Sequence, residues 1–178
     1  MKKQVKKQAT PKPSKPTVAL PTEPEKQVYT FEIFIASGPM SESFMQKNRV
    51  LSRTIQMRGD QTLEHLHEAI FDAFDREEEH LYEFQIGGRG PEDPLASRYS
   101  LASLDDPELD GAVETTTLAS LELKVNSPFG YWFDFGDDWW HQVNLIEVEA
   151  AEPGARYPKV IKRVGPSPPQ YVDWDEEE

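Results

Sequence analysis

The sequence predicts an α+β domain: a mostly antiparallel sheet with one principal helix packed on one face and an aromatic-rich β-hairpin. Three observations carry this. First, Phe129, Tyr131, Phe133 and Phe135 alternate with Gly130, Trp132 and Asp134, the period of a strand with one buried face. Second, Gly136-Asp137-Asp138 follows, rich in residues that suit turns, and residues 139–149 resume with aromatic and β-branched side chains. Third, Leu63, Leu66, His67, Ile70, Phe71 and Phe74 fall on one stripe at helical spacing.

Taken in order, residues 1–27 hold seven Lys against two Glu, with Pro, Gln and Thr and almost nothing to bury. A disordered basic tail is the physical default there. Residues 28–37 read as a strand with Tyr29, Phe31, Ile33 and Ile35 on one face, stopped by Gly38-Pro39. Residues 39–48 read as a polar loop anchored by Phe44 and Met45, and residues 49–57 as a second strand presenting Leu51, Ile55 and Met57. Arg58-Gly59-Asp60 turns into the helix, residues 61–74, with Asp60 or Thr62 as its N-cap. His67 lies on the apolar stripe and His65 off it. Side chains two apart on a helix do not converge, so this pair is no chelate, and His67 reads as a hydrogen-bonded core histidine.

An acidic connection, residues 75–79, leads to a third strand over residues 80–86 with His80, Tyr82, Phe84 and Ile86 on one face. The glycines after it lack the Lys-Ser/Thr and helix of a phosphate cradle. Residues 91–114 are polar with room for one short helix, and residues 117–123 read as a helical turn leading into the hairpin. Glu152-Pro153-Gly154 is a turn, and residues 157–164 a last strand or extended arm. The acidic residues 173–178 read as a mobile tail, leaving residues 28–172 as a single domain. Its core is expected to include Phe31, Ile33, Leu66, Ile70, Phe84, Phe133 and Leu145.

Charge narrows the function. The chain carries a formal −13, although residues 1–27 contribute +5. The acidic body repels a phosphate backbone, and residues 61–74 contain no Lys or Arg. Nucleic acid is therefore expected only through the basic tail. With no Cys there is no disulfide framework or thiolate zinc site, and no apolar run is long enough for a bilayer. A cytoplasmic protein without membrane contact is expected, its partner a protein or small ligand.

The chemistry-bearing residues cluster around the hairpin turn. Asp134, Asp137, Asp138, His141 and the more distant His80 offer the oxygens and imidazoles of a divalent-metal or acid–base site. The competing reading makes the carboxylates caps of the turn backbone, and it is preferred because tight turns need such caps often. Asp134-Phe135-Gly136 and Gly136-Asp137-Asp138 spell kinase and polymerase strings, but the accompanying loops and chain length are missing. Trp139 and Trp140 must face opposite sides of a strand, so one of them can offer a partner contact.

Phe133 to His141 closely resembles the "YDFGDDWxH" signature of the plasmid pRiA4b ORF-three-like family, whose members also carry a transposon-passenger "TnpR" label. Residues 62–70 resemble that family's "TLxxLHxxI" helix and residues 79–84 its "HLxxF" strand. The resemblance spans roughly residues 28–171 and implies a compact α+β domain, with no activity attached. A closing "PPEDxGG" segment is common in the family; here Pro168-Pro169 is followed by Gln170-Tyr171. The expectation is therefore a non-enzymatic binding or accessory module, with no cofactor. The first alternative is a hydrolase using a divalent metal at the Asp-rich turn, and the second a DNA transaction protein.

Overall fold

The computed structural model describes residues 19–173. Eight strands form one sheet: β1 (Gln27–Ser37), β2 (Ser52–Arg58), β3 (Tyr82–Ile86), β4 (Ser97–Ser100), β5 (Gly111–Ala112), β6 (Pro128–Phe133), β7 (Trp139–Ala150) and β8 (Lys159–Val164). Their order is β5-β4-β3-β6-β7-β1-β2-β8, antiparallel throughout except between β4 and β5. The α+β reading and the hairpin of β6 and β7 hold.

One face of the sheet is the core. Phe31 and Ile33 of β1, Ile55 and Met57 of β2, Phe84 of β3, Phe129 and Phe133 of β6, and Val143 and Leu145 of β7 all point there and are buried. The helix α2 (Leu63–Ala73) lies on this face, burying Leu63, Leu66, His67, Ala69, Ile70 and Ala73. All seven expected core residues are inside. The hairpin strands β6 and β7 alternate because the core side must be apolar, and that alternation fixes their register, whereas β3 is buried at all five positions.

The ends of α2 are closed by side chains. The Thr62 hydroxyl accepts from His65 N–H at 3.3 Å, while His65 Nδ1 accepts from Thr62 N–H at 3.0 Å. This is a capping box with His in place of the usual Glu, which gives the outward-facing His65 a structural task. At the other end Arg53 Nε donates to Ala73 O at 2.7 Å, and Arg163 Nη1 donates to the same oxygen. Two guanidinium groups thus meet the negative end of the helix dipole.

Several segments differ from the sequence reading. The loop over residues 39–48 contains a short helix, α1 (Glu42–Lys47), because the Ser41 hydroxyl caps Phe44 N–H at 3.2 Å. Phe44 is half-buried and Met45 is exposed, so Met45 is no anchor. His80 precedes β3 and does not belong to its inward face. The region after β3 holds β4, a 3-10 turn at Ala102–Leu104 and β5, and contains no α-helix. Residues 117–123 reduce to a 3-10 turn at Ala119–Leu121.

Two segments wrap the sheet. The loop after β3 crosses the outer face: Glu92 N–H donates to Gln85 Oε1 at 2.8 Å, and a Cβ on Gly130 would lie 2.8 Å from Pro91 Cα. The chain after β8 folds over the end of α2 as a strap, where Gln170 Oε1 accepts from Glu77 N–H (2.7 Å) and Glu78 N–H (3.0 Å). Of the expected tail and end segments, residues 1–18 and 174–178 lie outside the described residues. Residues 24–27 join the body: Asp60 N–H donates to Glu25 O and Gly59 N–H to Gln27 O.

Candidate functional site

The turn between β6 and β7 runs from Asp134 to Asp138, wider than the three residues expected. Asp134 opens it at φ +59°, in the left-handed region. Its Oδ1 accepts from Gly136 N–H at 3.0 Å and Asp137 N–H at 3.2 Å, and its carbonyl accepts from Asp138 N–H at 2.7 Å. Asp has just the short acceptor such a turn needs. Asp138 Oδ1 instead accepts the Trp132 indole N–H at 2.9 Å. Asp137 contributes its backbone N–H and leaves its side chain in solvent.

The five candidate polar residues do not meet at one point. His80 approaches Asp134, with Nε2 3.5 Å from Oδ2, but its hydrogen bond is to Tyr171 Oη at 2.7 Å. Tyr171 in turn donates to Glu78 Oε2 at 2.8 Å, a bond that holds its phenol up to about 12. His141 points to the other side of the turn, into the core. Its Nδ1 donates to Tyr131 O at 3.3 Å, and its ring packs on Phe74 and Tyr131. Complete burial, with Arg76 nearby, pushes its pKa down to about 3, so the imidazole is neutral. Among the described residues no three His, Asp or Glu side chains are arranged to hold a metal ion.

Strand alternation splits the tryptophans. Trp139 is fully buried on the core face, its ring against Gly38, where a Cβ would come within 2.2 Å of Trp139 Cε3. Trp140 faces outward and stacks on Trp132 across the hairpin, with centroids 4.9 Å apart and planes within 7°. Phe135 folds onto the other side of Trp132 at 4.1 Å. These three partly exposed rings form a ribbon on the outer face at the tip of the hairpin, next to the exposed Asp137 and Asp138. The sequence alternation puts Phe135 on the buried face with Phe129, Tyr131 and Phe133; instead β6 ends at Phe133, and the turn opened by the positive φ of Asp134 carries Phe135 onto the outward Trp132. The cross-strand pairing of Trp132 with Trp140 is the signal that a hairpin register would have supplied.

On the core side, His67 is fully bonded. Its Nδ1 accepts from Tyr131 Oη at 2.7 Å and its Nε2 donates to Glu79 Oε2 at 2.9 Å, while its ring stacks on Tyr82 at 3.6 Å. Burial holds its pKa below the usual histidine value, although Glu79 opposes this. The rim of that packing is an open groove of about 520 Å³ bordered by Glu64, Glu68, Glu79 and His80.

Two buried arginines also escape sequence reading. Arg53 alternates in register with Ile55 and Met57, and that spacing is the available clue. Every nitrogen of its guanidinium is bonded: Nε to Ala73 O, Nη1 to Ser52 O, Val164 O and Gly165 O, and Nη2 to Ser167 Oγ. Arg76 sits in the acidic connection, with no pattern to mark it. It lies over the Trp139 ring at 3.8 Å, with both terminal nitrogens buried.

The sequence profile of the plasmid pRiA4b ORF-3-like proteins matches residues 43–174. The chain belongs to that family. No curated protein matches the chain. Among solved structures, the crystal structure of a protein of unknown function, MM3350 from Methanosarcina mazei Go1, matches with a TM-score of 0.63 at 23% identity, covering 81% of this chain and 72% of that one. At that identity the likeness concerns the fold. The matched family segment includes α2, the hairpin and the strap, and so takes in both the carboxylate turn and the aromatic ribbon. No helix among the described residues is long and apolar enough to cross a membrane.

Proposed function

We propose that this family member is a cytoplasmic, non-catalytic binding module that engages a basic protein segment through the Trp132–Trp140–Phe135 ribbon. The observation that carries this reading is how the turn uses its carboxylates. Asp134 is spent on the turn backbone, and Asp138 on fixing the Trp132 indole. The turn therefore builds an ordered aromatic surface and leaves negative charge beside it.

Stacked indoles offer a rigid contact area at low entropic cost, and their faces attract guanidinium groups. A chain with a formal −13 draws cationic partners by long-range attraction and repels nucleic acid. The hydrolase alternative lacks such support, because His141 is turned away from the carboxylates and buried.

The test is a titration of the full chain with a short Arg-Gly peptide, against a Glu-Gly control, followed by tryptophan fluorescence. The Arg peptide binds, binding weakens with added salt, and Trp140→Ala lowers affinity by about 2 kcal/mol or more, the usual size of an aromatic hot spot. An Arg peptide that does not bind, or that binds Trp140→Ala as tightly, contradicts the proposal.

A further inference from the structure

Arg76 and Arg53 are a natural comparison within one molecule. Both are buried, and both lie over an aromatic ring, Arg53 over Phe74 at 4.6 Å and Arg76 over Trp139 at 3.8 Å. Arg53 has protein oxygens on every nitrogen, as a structural buried arginine should. Arg76 has no protein partner on Nη1 or Nη2 among the described residues. Asp134 is near enough to favour its charge, but Oδ1 is committed to the turn and Oδ2 faces His80. Leaving a guanidinium out of water and unpaired is costly, so its retention calls for a counter-charge.

The surroundings match that need. Trp139 Nε1, in the ring beneath the guanidinium, is a buried donor that also lacks a partner among the described residues. His141, two residues along the same face of β7, has Nε2 buried with no hydrogen-bond partner among the described residues. With Nδ1–H given to Tyr131 O, Nε2 is an acceptor, suited to a protonated oxygen or a bridging water. The segments that flank the cluster border a groove of about 430 Å³ whose walls include Met40, Phe44, Pro169, Tyr171 and the acidic Asp173, with Arg76 and Trp139 lying behind those walls rather than in them. Each rim is pinned beside the cluster: Gly38 rests on Trp139, and Gln170 bonds the N–H of Glu77, the residue after Arg76.

We propose that Arg76 and Trp139 form a receptor for a compact oxyanion, the carboxylate or phosphate end of a small ligand that enters between residues 40–44 and residues 169–173. The site lies on the core side of the hairpin, opposite the aromatic ribbon, and does not depend on the ribbon's role. No covalent chemistry is involved. Arg76 supplies charge and two donor nitrogens, and Trp139 a third donor in a fixed orientation.

The experiment uses the full chain, ¹⁵N-labelled, titrated separately with inorganic phosphate and with acetate at constant ionic strength set by chloride. The indole N–H signal of Trp139, assigned by its loss in Trp139→Phe, should shift saturably with at least one anion. Whichever anion acts identifies the head group. Trp139→Phe, which removes the indole N–H and keeps an aromatic ring, should weaken binding at least threefold, read by the rise in melting temperature with anion. Arg76→Met should abolish that rise, and its melting temperature without anion should equal or exceed that of the native chain, because an unpaired buried charge has been removed. An indole signal unmoved by both anions overturns the proposal, as does a thermal response that survives in Arg76→Met. Should Arg76→Met fail to fold, the Trp139→Phe affinity and the native indole titration decide alone.

Discussion

His141 is the residue whose environment has the clearest measurable consequence. The groups facing it are the Phe74 and Tyr131 rings, the backbone of Tyr131 and Trp139, and the charges of Arg76 and, when protonated, His67. An unfolded histidine takes up a proton near pH 6.5, whereas the native imidazole refuses one until about 3. Between those values the unfolded chain binds more protons, so stability is intact above about 6.5 and falls as the pH drops, by up to about 1.4 kcal/mol per pH unit. His67, also held low by burial, acts in the same direction. Urea unfolding at pH 7 and pH 5 should show this loss, and His141→Gln should flatten the slope by about one proton. An unchanged slope in the variant would show that His141 is not held neutral. In the sequence, the place of His67 in the core follows from its helical stripe. The split of the turn carboxylates into one backbone cap and one indole anchor does not follow. It depends on the positive φ of Asp134, which no spacing reveals.

At the scale of elements, the strap after β8 holds the loop that carries Arg76 and Glu79. One side chain, Gln170, does most of this, accepting two backbone N–H groups and donating to Glu78 O at 2.8 Å. Gln170→Ala should cost about 1–3 kcal/mol, since three part-buried hydrogen bonds to backbone are lost together. Faster hydrogen exchange at Glu77 and Glu78 would locate the effect, and unaltered exchange there would mean the strap is held elsewhere. The long elements were legible because each has many residues repeating one period: β1, α2 and the β6–β7 hairpin. The short ones were not. α1 depends on a single Ser41 cap, and β4 and β5 span four and two residues, too few for alternation to show. The strap has no periodicity at all and is defined by side-chain bonds to distant backbone.

For the whole molecule, the body starts before β1. Pro24 O would lie 2.1 Å from a Cβ on Gly59, and Asp60 and Gly59 bond to Glu25 and Gln27. A chain beginning at Val28 should therefore melt below one beginning at Ala19; equal melting would show these contacts to be idle. The larger question is whether this acidic domain works by metal chemistry at its turn or by presenting a surface. One measurement separates these: melting of the native chain, Asp134→Asn and Asp134→Ala, each with and without manganese or magnesium. A bound metal must raise the native melting temperature, because it binds only the folded state. With Asp134 as a cap, no variant responds to metal. Asn tolerates positive φ and keeps an acceptor, so Asp134→Asn is mild. Ala loses both, at about 2 kcal/mol. That pattern is the predicted result. A metal-induced rise in the native chain that disappears in Asp134→Asn would contradict it and make the turn a metal site.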